Sequence, residues 1–443
     1  MAVSSYVAQI HPAKRPPLRS ERAAFVPARK VAILGFGTVG RAVAELLCRN
    51  PMPDLRLSHV FNRAVERKRV SWTGEGVSWT ERFDDVLASD ADVVVELIGG
   101  VEPAHEYIRR ALLSGKSVVT ANKHVMAKHG VELLSLARET GQRLEYGASV
   151  GGGVPILPAL QYGLAGDRLF RAVGVLNGTC NYILSNMEAR GTSLSSALAK
   201  AQQLGYAEAD PTEDVNGMDA ACKLAIVARL GLRADMDPFD VPRQSIEKVG
   251  PADFRYAKEL GCTIRQLSYA ELNGDQITAA VGPALVPLNS PLAATRENQN
   301  AVVISGENSG ETLLAGRGAG GPPTAVAVVS DLLAINLGTA TDGCPSARSG
   351  AGSSLRLRKH PLVCDLVAPH YVRLNARKQA TVEALAAVFA RHRIRIRTSL
   401  SKGKSEAVLV TAKCQSATMR EAIAEFQRDH SLSKPPVVLP MLS

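Results

Sequence analysis

The stretch Val31-Ala32-Ile33-Leu34-Gly35-Phe36-Gly37-Thr38-Val39-Gly40 sets a short apolar run against a glycine-spaced turn. An uninterrupted apolar run of this kind reads as a strand covered on both faces, as in a parallel sheet. A G-x-G-x-x-G turn that closes such a strand and opens a helix is the pattern of a dinucleotide-binding βαβ unit. Gly35 permits the tight turn, Gly37 lets the backbone approach a pyrophosphate, and Gly40 lets helix and strand pack closely. Thr38 and Val39 then stand at the helix N-terminus, whose free N–H groups and partial positive charge favour phosphate.

Outward from this turn, β-type runs alternate with helical segments: LRLSHVFN, VVVELIG, SVVTAN and RLEYGA, with helices through Leu47, Leu113 and Arg138 between them. That rhythm predicts a Rossmann-type α/β domain, a doubly wound parallel sheet, over residues 30–150. After Gly151-Gly152-Gly153 the rhythm changes. Helices around Ser185 to Leu204 and Ala220 to Leu230 precede the strands ITAAVGPALVP, AVVISG and ETLLAG, which predicts a separate α+β domain over 151–320. Ala325 to Leu337 reads as one apolar helix that completes the first domain within about 320–343. Residues 344–360, rich in Gly and Ser, read as a linker. The segment 361–443 reads β-α-β-β-α-β. Residues 1–29 lack apolar periodicity, and Pro12, Pro16, Pro17 and Pro27 break the amphipathic helix that a targeting leader needs, so a disordered extension is expected.

Composition narrows the class. The chain has 443 residues, 46% of them hydrophobic and 21% charged, enough for two or three ordinary cores and unlike a disordered or fibrous chain. No stretch approaches a membrane span. The seven cysteines, Cys48, Cys180, Cys222, Cys262, Cys344, Cys364 and Cys414, are scattered without a C-x-x-C pair, which fits reduced thiols in a cytoplasmic protein and no metal bound through sulfur. The 52 Lys and Arg outnumber the 42 Asp and Glu, for a net charge of +10. The excess lies in His11 to Lys30 and Arg391 to Arg397 without interleaved aromatics, so it reads as solvated basic faces rather than a nucleic-acid footprint.

Three further stretches hold polar residues inside otherwise buried patterns: VVTANK, from Val118 to Lys123; LGYAEADP, from Leu204 to Pro211; and GMDAACKL, from Gly217 to Leu224. The end of the second strand, His59-Val60-Phe61-Asn62-Arg63, has no acid for ribose hydroxyls until Glu66, while Arg63 can pair with a 2′-phosphate, so NADP is expected over NAD. Lys123 follows the strand SVVTAN at the edge where open α/β sheets bind ligands. Asp219 and Lys223 are spaced to share one helix face. An exposed salt bridge and a buried functional pair both fit that spacing, and the pattern alone leaves the two even, although the helix continues into the apolar LAIVARL.

The segments GFGTVG, VVVELIGG, GKSVVTANKHVMAKHG, ASVGGGVPIL, LNGTCNYIL, AQQLGYAEADPTEDVNGMDAACKLAI and GRGAGGPPTAVAVVSDLL, in this order from Val31 to about Leu337, resemble homoserine dehydrogenase. The resemblance implies NAD(P)-dependent interconversion of L-aspartate 4-semialdehyde and L-homoserine, in threonine and methionine biosynthesis, by a homodimer or higher homo-oligomer whose second domain is catalytic and dimerising. It implies Lys223 as the acid/base, Lys123 as a second lysine near cofactor and substrate, and Asp219 and Glu208 as carboxylates holding the substrate amino group and the lysines. It implies Thr38, Val39, Lys123, Gly205 and Gly320 as cofactor contacts. It also implies a monovalent cation on the carbonyls of Val150, Gly152 and Val154. At Gly147 the family usually has a Glu, so weak or absent cation dependence is expected; Glu145 could substitute only through a backbone change. Cys180 stands where the family has Thr. The tail resembles an ACT module, but Ala376-Arg377-Lys378-Gln379-Ala380 replaces the Asp-x-Pro-Gly-like turn and offers no glycine for close approach. A structural or oligomer-forming role is therefore expected rather than threonine inhibition. Two other readings stay open: a related amino-acid dehydrogenase of the aspartate type, and a nucleotide-sensing DNA regulator, for which no recognition-helix pattern is present.

Overall fold

Val31 to Leu34 are buried in β1 (Arg29–Leu34), the strand around which the first domain is built. The structure is a computed structural model and describes residues 28–49, 52–337, 360–375, 379–401, 406–429 and 435–442. The chain continues through α1 (Thr38–Arg49), β2 (Leu55–Phe61), the short α2 (Val65–Lys68), β3 (Ser78–Thr80), α3 (Phe83–Ala88), β4 (Val93–Glu96), α4 (Ala104–Leu113), β5 (Ser117–Thr120), α5 (Lys123–Glu139) and β6 (Leu144–Glu145). The six strands are all parallel, in the order β3-β2-β1-β4-β5-β6. Strand order reverses between β1 and β4, and the crevice at their carboxyl ends is where such sheets bind ligands. β3 is too short to show a period in the sequence.

The second domain contains α6 (Ile156–Pro158), β7 (Leu169–Val175), α7 (Gly178–Arg190), α8 (Leu194–Gln203), α9 (Thr212–Val215), α10 (Met218–Val227), α11 (Pro251–Glu259), β8 (Cys262–Asn273), β9 (Gln276–Pro287), β10 (Gln299–Gly306) and β11 (Gly310–Arg317). The span around Ser185 to Leu204 holds two helices. Gly191 ends the first in the left-handed region at φ 62, and the Ser193 hydroxyl accepts from Ser196 N at 3.3 Å to start the second. β7 and β8 were not anticipated. β8 carries Arg265 and Gln266 in a fully buried run, which hides its strand character. Arg265 is accommodated because its guanidinium donates to the carbonyls of Ala293 and Thr295 and to Glu188.

After β11, α12 (Gly321–Leu337) returns to the first domain, where Ala325, Val328, Leu332 and Ile335 share a core with Val31, Ile33, Val43 and Leu47. β12 (Leu362–Val363) pairs parallel with β9, so the second sheet runs β11-β10-β7-β8-β9-β12. The start of the tail thus belongs to the catalytic sheet rather than to the terminal module. Most of the expected linker, and the expected extension through residue 27, lie outside the described residues.

The terminal module has β13 (Val367–Ala368), β14 (His370–Leu374), α13 (Gln379–Arg391), β15 (Ile396–Ser401), β16 (Ala407–Thr411), β17 (Cys414–Gln415), α14 (Ser416–Asp429) and β18 (Val437–Pro440). Its antiparallel sheet has the order β15-β16-β14-β18. The turn at residues 376–378 lies outside the described residues. The module docks on α11 through a buried carboxylate: Asp253 accepts from Arg373 Nε at 2.6 Å, Arg373 Nη2 at 3.0 Å and the Tyr371 hydroxyl at 2.8 Å.

The glycine turn tests this packing directly. A Cβ at Gly40 would collide with the carbonyl oxygen of Gly35, a backbone atom that cannot move without opening the turn. Gly40→Ala is expected to lower stability by about 1–3 kcal/mol and to weaken nicotinamide-dinucleotide binding at least tenfold, read by thermal unfolding and by fluorescence titration.

Candidate active site

Lys123 is the first residue of α5, and its position is set by Asn122. The Asn122 side chain accepts from Val125 N at 3.2 Å, capping the helix, and donates to Gly100 O at 2.7 Å. Lys123 therefore stands directly at the carboxyl edge of β5. Facing it, Asp219 lies in the first turn of α10 and is 5% exposed. Lys223, one turn further along α10, donates to Asp219 Oδ2 at 2.8 Å and to Leu176 O at 3.0 Å. Lys123 Nζ reaches the other oxygen, Asp219 Oδ1, at 3.0 Å. One buried carboxylate thus holds two ammonium groups from two domains.

The charge balance follows from this geometry. Burial alone would push the Asp219 carboxyl upward, but the two lysine charges and the bonds from Lys223 and Asn177 hold it well below the usual carboxylate range. Burial pulls Lys123 down while Asp219 more than compensates, leaving it above its ordinary value and firmly cationic. Burial, followed by the neighbouring Lys123 charge, lowers His124. Of the two arrangements that i,i+4 spacing allowed, the structure shows the buried one.

Several partners had no clear sequence signal. Asn177 caps α7 by accepting from Cys180 N at 2.7 Å, and its Nδ2 donates to both Asp219 Oδ2, at 2.7 Å, and Asp214 Oδ1, at 2.6 Å. Asp214 is raised above the usual carboxylate range by burial and by Asp219. The asparagine in LNGTC was the available clue, but only the fold brings it to Asp219. Glu96, at the end of β4, accepts from Thr120 Oγ1 at 2.6 Å and from Ile98 N at 2.7 Å, fixing the loop that enters the crevice. Glu208 is exposed on the loop after α8, where its carbonyl accepts from Gln202; no described hydrogen bond or ion pair joins its carboxylate to either lysine.

The nucleotide turn has room for a ligand. Gly35 adopts φ 97, and a Cβ there would meet Leu97 O at 2.7 Å, whereas one at Gly37 would meet nothing within 4 Å. Gly37 and Thr38 are exposed, Val39 half-buried. A Cβ on Gly321 would meet Thr38 at 3.0 Å, so the GRGAGG turn lies beside the α1 N-terminus, with Gly320 at φ 116. Gly205 lies on the exposed loop after α8 at φ 75. Arg63 is exposed just past β2. A carboxylate also reaches this corner from β3: Glu81 accepts from Val65 N at 3.0 Å.

Residues 35–147 match the model of the homoserine dehydrogenase NAD-binding domain, and residues 155–333 match the homoserine dehydrogenase model. A homoserine dehydrogenase of Bacillus subtilis is 42% identical over 313 residues, 69% of this chain and 72% of the relative. The chain belongs to the homoserine dehydrogenase family. A solved homoserine dehydrogenase from Thiobacillus denitrificans superposes with TM-score 0.86 at 32% identity, covering 94% of this chain and 98% of that one. A mutant of a hyperthermophilic archaeal homoserine dehydrogenase, solved in complex with NADPH, superposes with TM-score 0.60 at 28% identity over 70% of this chain and 98% of that one. Neither the aspartate-type dehydrogenase nor the nucleotide-sensing regulator is favoured by these relatives. No described helix is long and apolar enough to cross a membrane.

Against the family pattern, Gly147 leaves a space that another element fills. A Cβ there would stand 2.6 Å from Asp331 Oδ1, a carboxylate delivered by α12, and Asp331 Oδ2 accepts from Ala148 N at 3.3 Å. Asp331 and Glu145 line a cavity of about 120 Å³ with Tyr146, Gln161 and Tyr162. Val150, Gly152 and Val154 do not line it, and the Val154 carbonyl already accepts from Ile156 N at 2.7 Å. The carboxylates and the expected cation carbonyls therefore serve different surroundings, and the residues present do not form a charged cation cage.

Burial, then the nearby Glu145 charge, pushes the Asp331 carboxyl up to about 7. The folded state thus keeps a proton that the unfolded chain releases near pH 4, so Asp331 lowers stability progressively as pH rises from about 4 to 7. Asp331→Asn is expected to remove that decline, raising Tm at pH 8 while changing it little at pH 4, as read by calorimetry across the range.

Proposed function

We propose that the chain reduces L-aspartate 4-semialdehyde to L-homoserine with NADPH, and that Lys223 is the group that gives the aldehyde oxygen its proton. The observation that carries this reading is the convergence of Lys123 and Lys223 on Asp219 beside the crevice of the parallel sheet. The nicotinamide, when bound at the glycine turn, supplies the hydride. Everything else is the work of the chain's own side chains.

An ammonium has three donors. Lys223 spends two, on Asp219 and on the carbonyl of Leu176, and these fix its direction so that the third is free for a carbonyl oxygen. As that oxygen gains charge, the ammonium stabilises it and then yields the proton, which is transition-state stabilisation by a pre-oriented donor. Lys123, kept cationic by Asp219, adds positive charge at the sheet edge. Asp219 stays ionised throughout and holds the two lysines at fixed separation. Glu208, on the exposed loop, meets the substrate ammonium from the solvent side, opposite the reacting end. Gly35, Gly37, Thr38, Val39, Gly40, Gly205 and Gly320 form the cofactor surface, and Arg63 binds the 2′-phosphate, which makes NADP the preferred coenzyme over NAD. The NADPH complex of the archaeal relative supports that preference.

The same reading treats the protein as a cytoplasmic homodimer, or a higher homo-oligomer, that engages neither nucleic acid nor membrane. The exposed Leu313 on β11 supports association through the second sheet. The terminal module is ACT-like in topology, and its buried Asp253–Arg373 tie favours a structural role over effector sensing. The cation at Val150, Gly152 and Val154 is taken to be dispensable.

Lys223→Ala is expected to lower kcat by about 10²–10⁴-fold while leaving the Kd for NADPH within about threefold, measured by steady-state oxidation of NADPH and by fluorescence titration. Retained turnover would remove Lys223 from proton transfer. Arg63→Ala should raise the KM for NADPH by about tenfold or more, the worth of a charge-assisted bond, and leave that for NADH unchanged; equal shifts would defeat the coenzyme assignment.

A further inference from the structure

A second polar contact crosses from α10 to α5, beyond the one Asp219 makes. Past Val227, α10 widens into a π-helical turn, Ala228–Leu232, and Arg229 leaves that turn toward the other domain. Its guanidinium donates from Nη1 to Met126 O at 2.6 Å and from Nη2 to Ala127 O at 2.8 Å, while Nε donates to Asp235 Oδ1 at 2.8 Å. Met126 and Ala127 stand three and four positions after Lys123 on α5, within about 6 Å of it along the helix axis. A planar fork that grips two successive carbonyls fixes a direction as well as a distance, which a single lysine–carboxylate contact does not.

Two further observations show that the place is shaped for this side chain. A Cβ at Gly130 would stand 2.8 Å from Arg229 Nη1, so the guanidinium occupies room that any other residue at that point of α5 would fill. Glycine in a helix interior costs stability relative to alanine. Arg229 is also only 7% exposed. Burying a charge gives no general advantage over an apolar side chain of similar size, so what arginine adds here is fixed geometry. Packing leaves that need open. On α10 and its π turn, the residues that share a core with Val125, Met126 and Ala127 include Ala221, Ala225 and Ala228, and alanines raise low ridges that hold the register of two helices weakly.

We propose that Arg229 is a positioning residue for the reduction: it locks the register of α5 against α10 and so sets where the Lys123 ammonium stands relative to Lys223. Lys223 lies six positions before Arg229, and Lys123 opens the facing helix. The guanidinium clamp and the Asp219 contacts are thus two points on one helix pair, and two points define an orientation where one leaves a pivot. The hydrogen bonds of Arg229 go to α5 carbonyls and Asp235, none to the glycine turn or the reacting lysines. Its loss therefore acts on proton delivery and spares the cofactor surface. The inference rests on the proposed role of Lys223.

The test uses Arg229→Ala and Gly130→Ala in the full chain. Gly130→Ala keeps every charge and displaces only the guanidinium, so it serves even where Arg229→Ala fails to fold. Each is expected to lower kcat by about 10–100-fold, with the Kd for NADPH unchanged. Millimolar guanidinium should restore kcat severalfold in folded Arg229→Ala and leave the parent unaffected. Hydrogen exchange should quicken in the first two turns of α5 in both variants. A lowered Tm with parental kcat in the folded protein would mean a merely structural contact and overturn the inference. A fall in kcat matched by an equal loss of NADPH binding would overturn it too, as would the absence of guanidinium rescue. Should the parent itself not oxidise NADPH with the semialdehyde, the proposed activity fails, and exchange in α5 then decides the clamp alone: quickened exchange in both variants upholds it and unchanged exchange overturns it.

Discussion

A single carboxylate carries the relation between the two large domains. Asp219 receives Lys223 from its own helix and Lys123 from the helix that opens at the edge of the parallel sheet. Burying a carboxylate costs several kcal/mol unless it is fully paired, and here two ammoniums and the Asn177 amide supply the pairing. The constraint is mutual. Asp219 keeps Lys123 charged and both lysines fixed, and the lysines keep Asp219 ionised inside the protein. The crevice therefore has positive charge at its wall with donor directions already set, which is what a carbonyl gaining negative charge requires.

The rest of the fold holds that pairing in place. Asn122 caps α5 and so puts Lys123 at the sheet edge, while Asn177 caps α7 and reaches across to Asp219. α12 returns from the second domain to pack into the first, so the two domains share a core segment as well as an ion pair. The terminal module is joined by the same device on another element: a buried carboxylate, Asp253, holds Arg373 and Tyr371. Beside Gly147, Asp331 enters from α12 and occupies the room a side chain would need.

Much of the first domain was legible because its signals are local. The apolar run Val31–Leu34 and the glycine spacing act over a few residues, and the structure gives the expected strand, turn and helix. The pairing of Asp219 with Lys223 was also readable as geometry, since helical periodicity puts them on one face. Its burial was not, because that depends on what packs over the face. β8 went unseen because Arg265 and Gln266 break the apolar run, and the partners that make the burial of Arg265 tolerable, Glu188 and the carbonyls of Ala293 and Thr295, are distant in sequence. Asn177, Asp214 and Glu96 lack any spacing that ties them to the lysines.

The sequence by itself therefore determined what short-range stereochemistry controls: the alternation of strands and helices that marks the first domain, the glycine turn, and which lysines and acids were candidates. Tertiary structure alone decided which of those charges meet. Lys123 and Asp219 are 3.0 Å apart across two domains, Glu208 is exposed, and the Asp331 carboxylate fills the space beside Gly147. The physical reason is that a buried charge is defined by its partners and its exclusion from water, and both are set by chain segments far removed along the sequence.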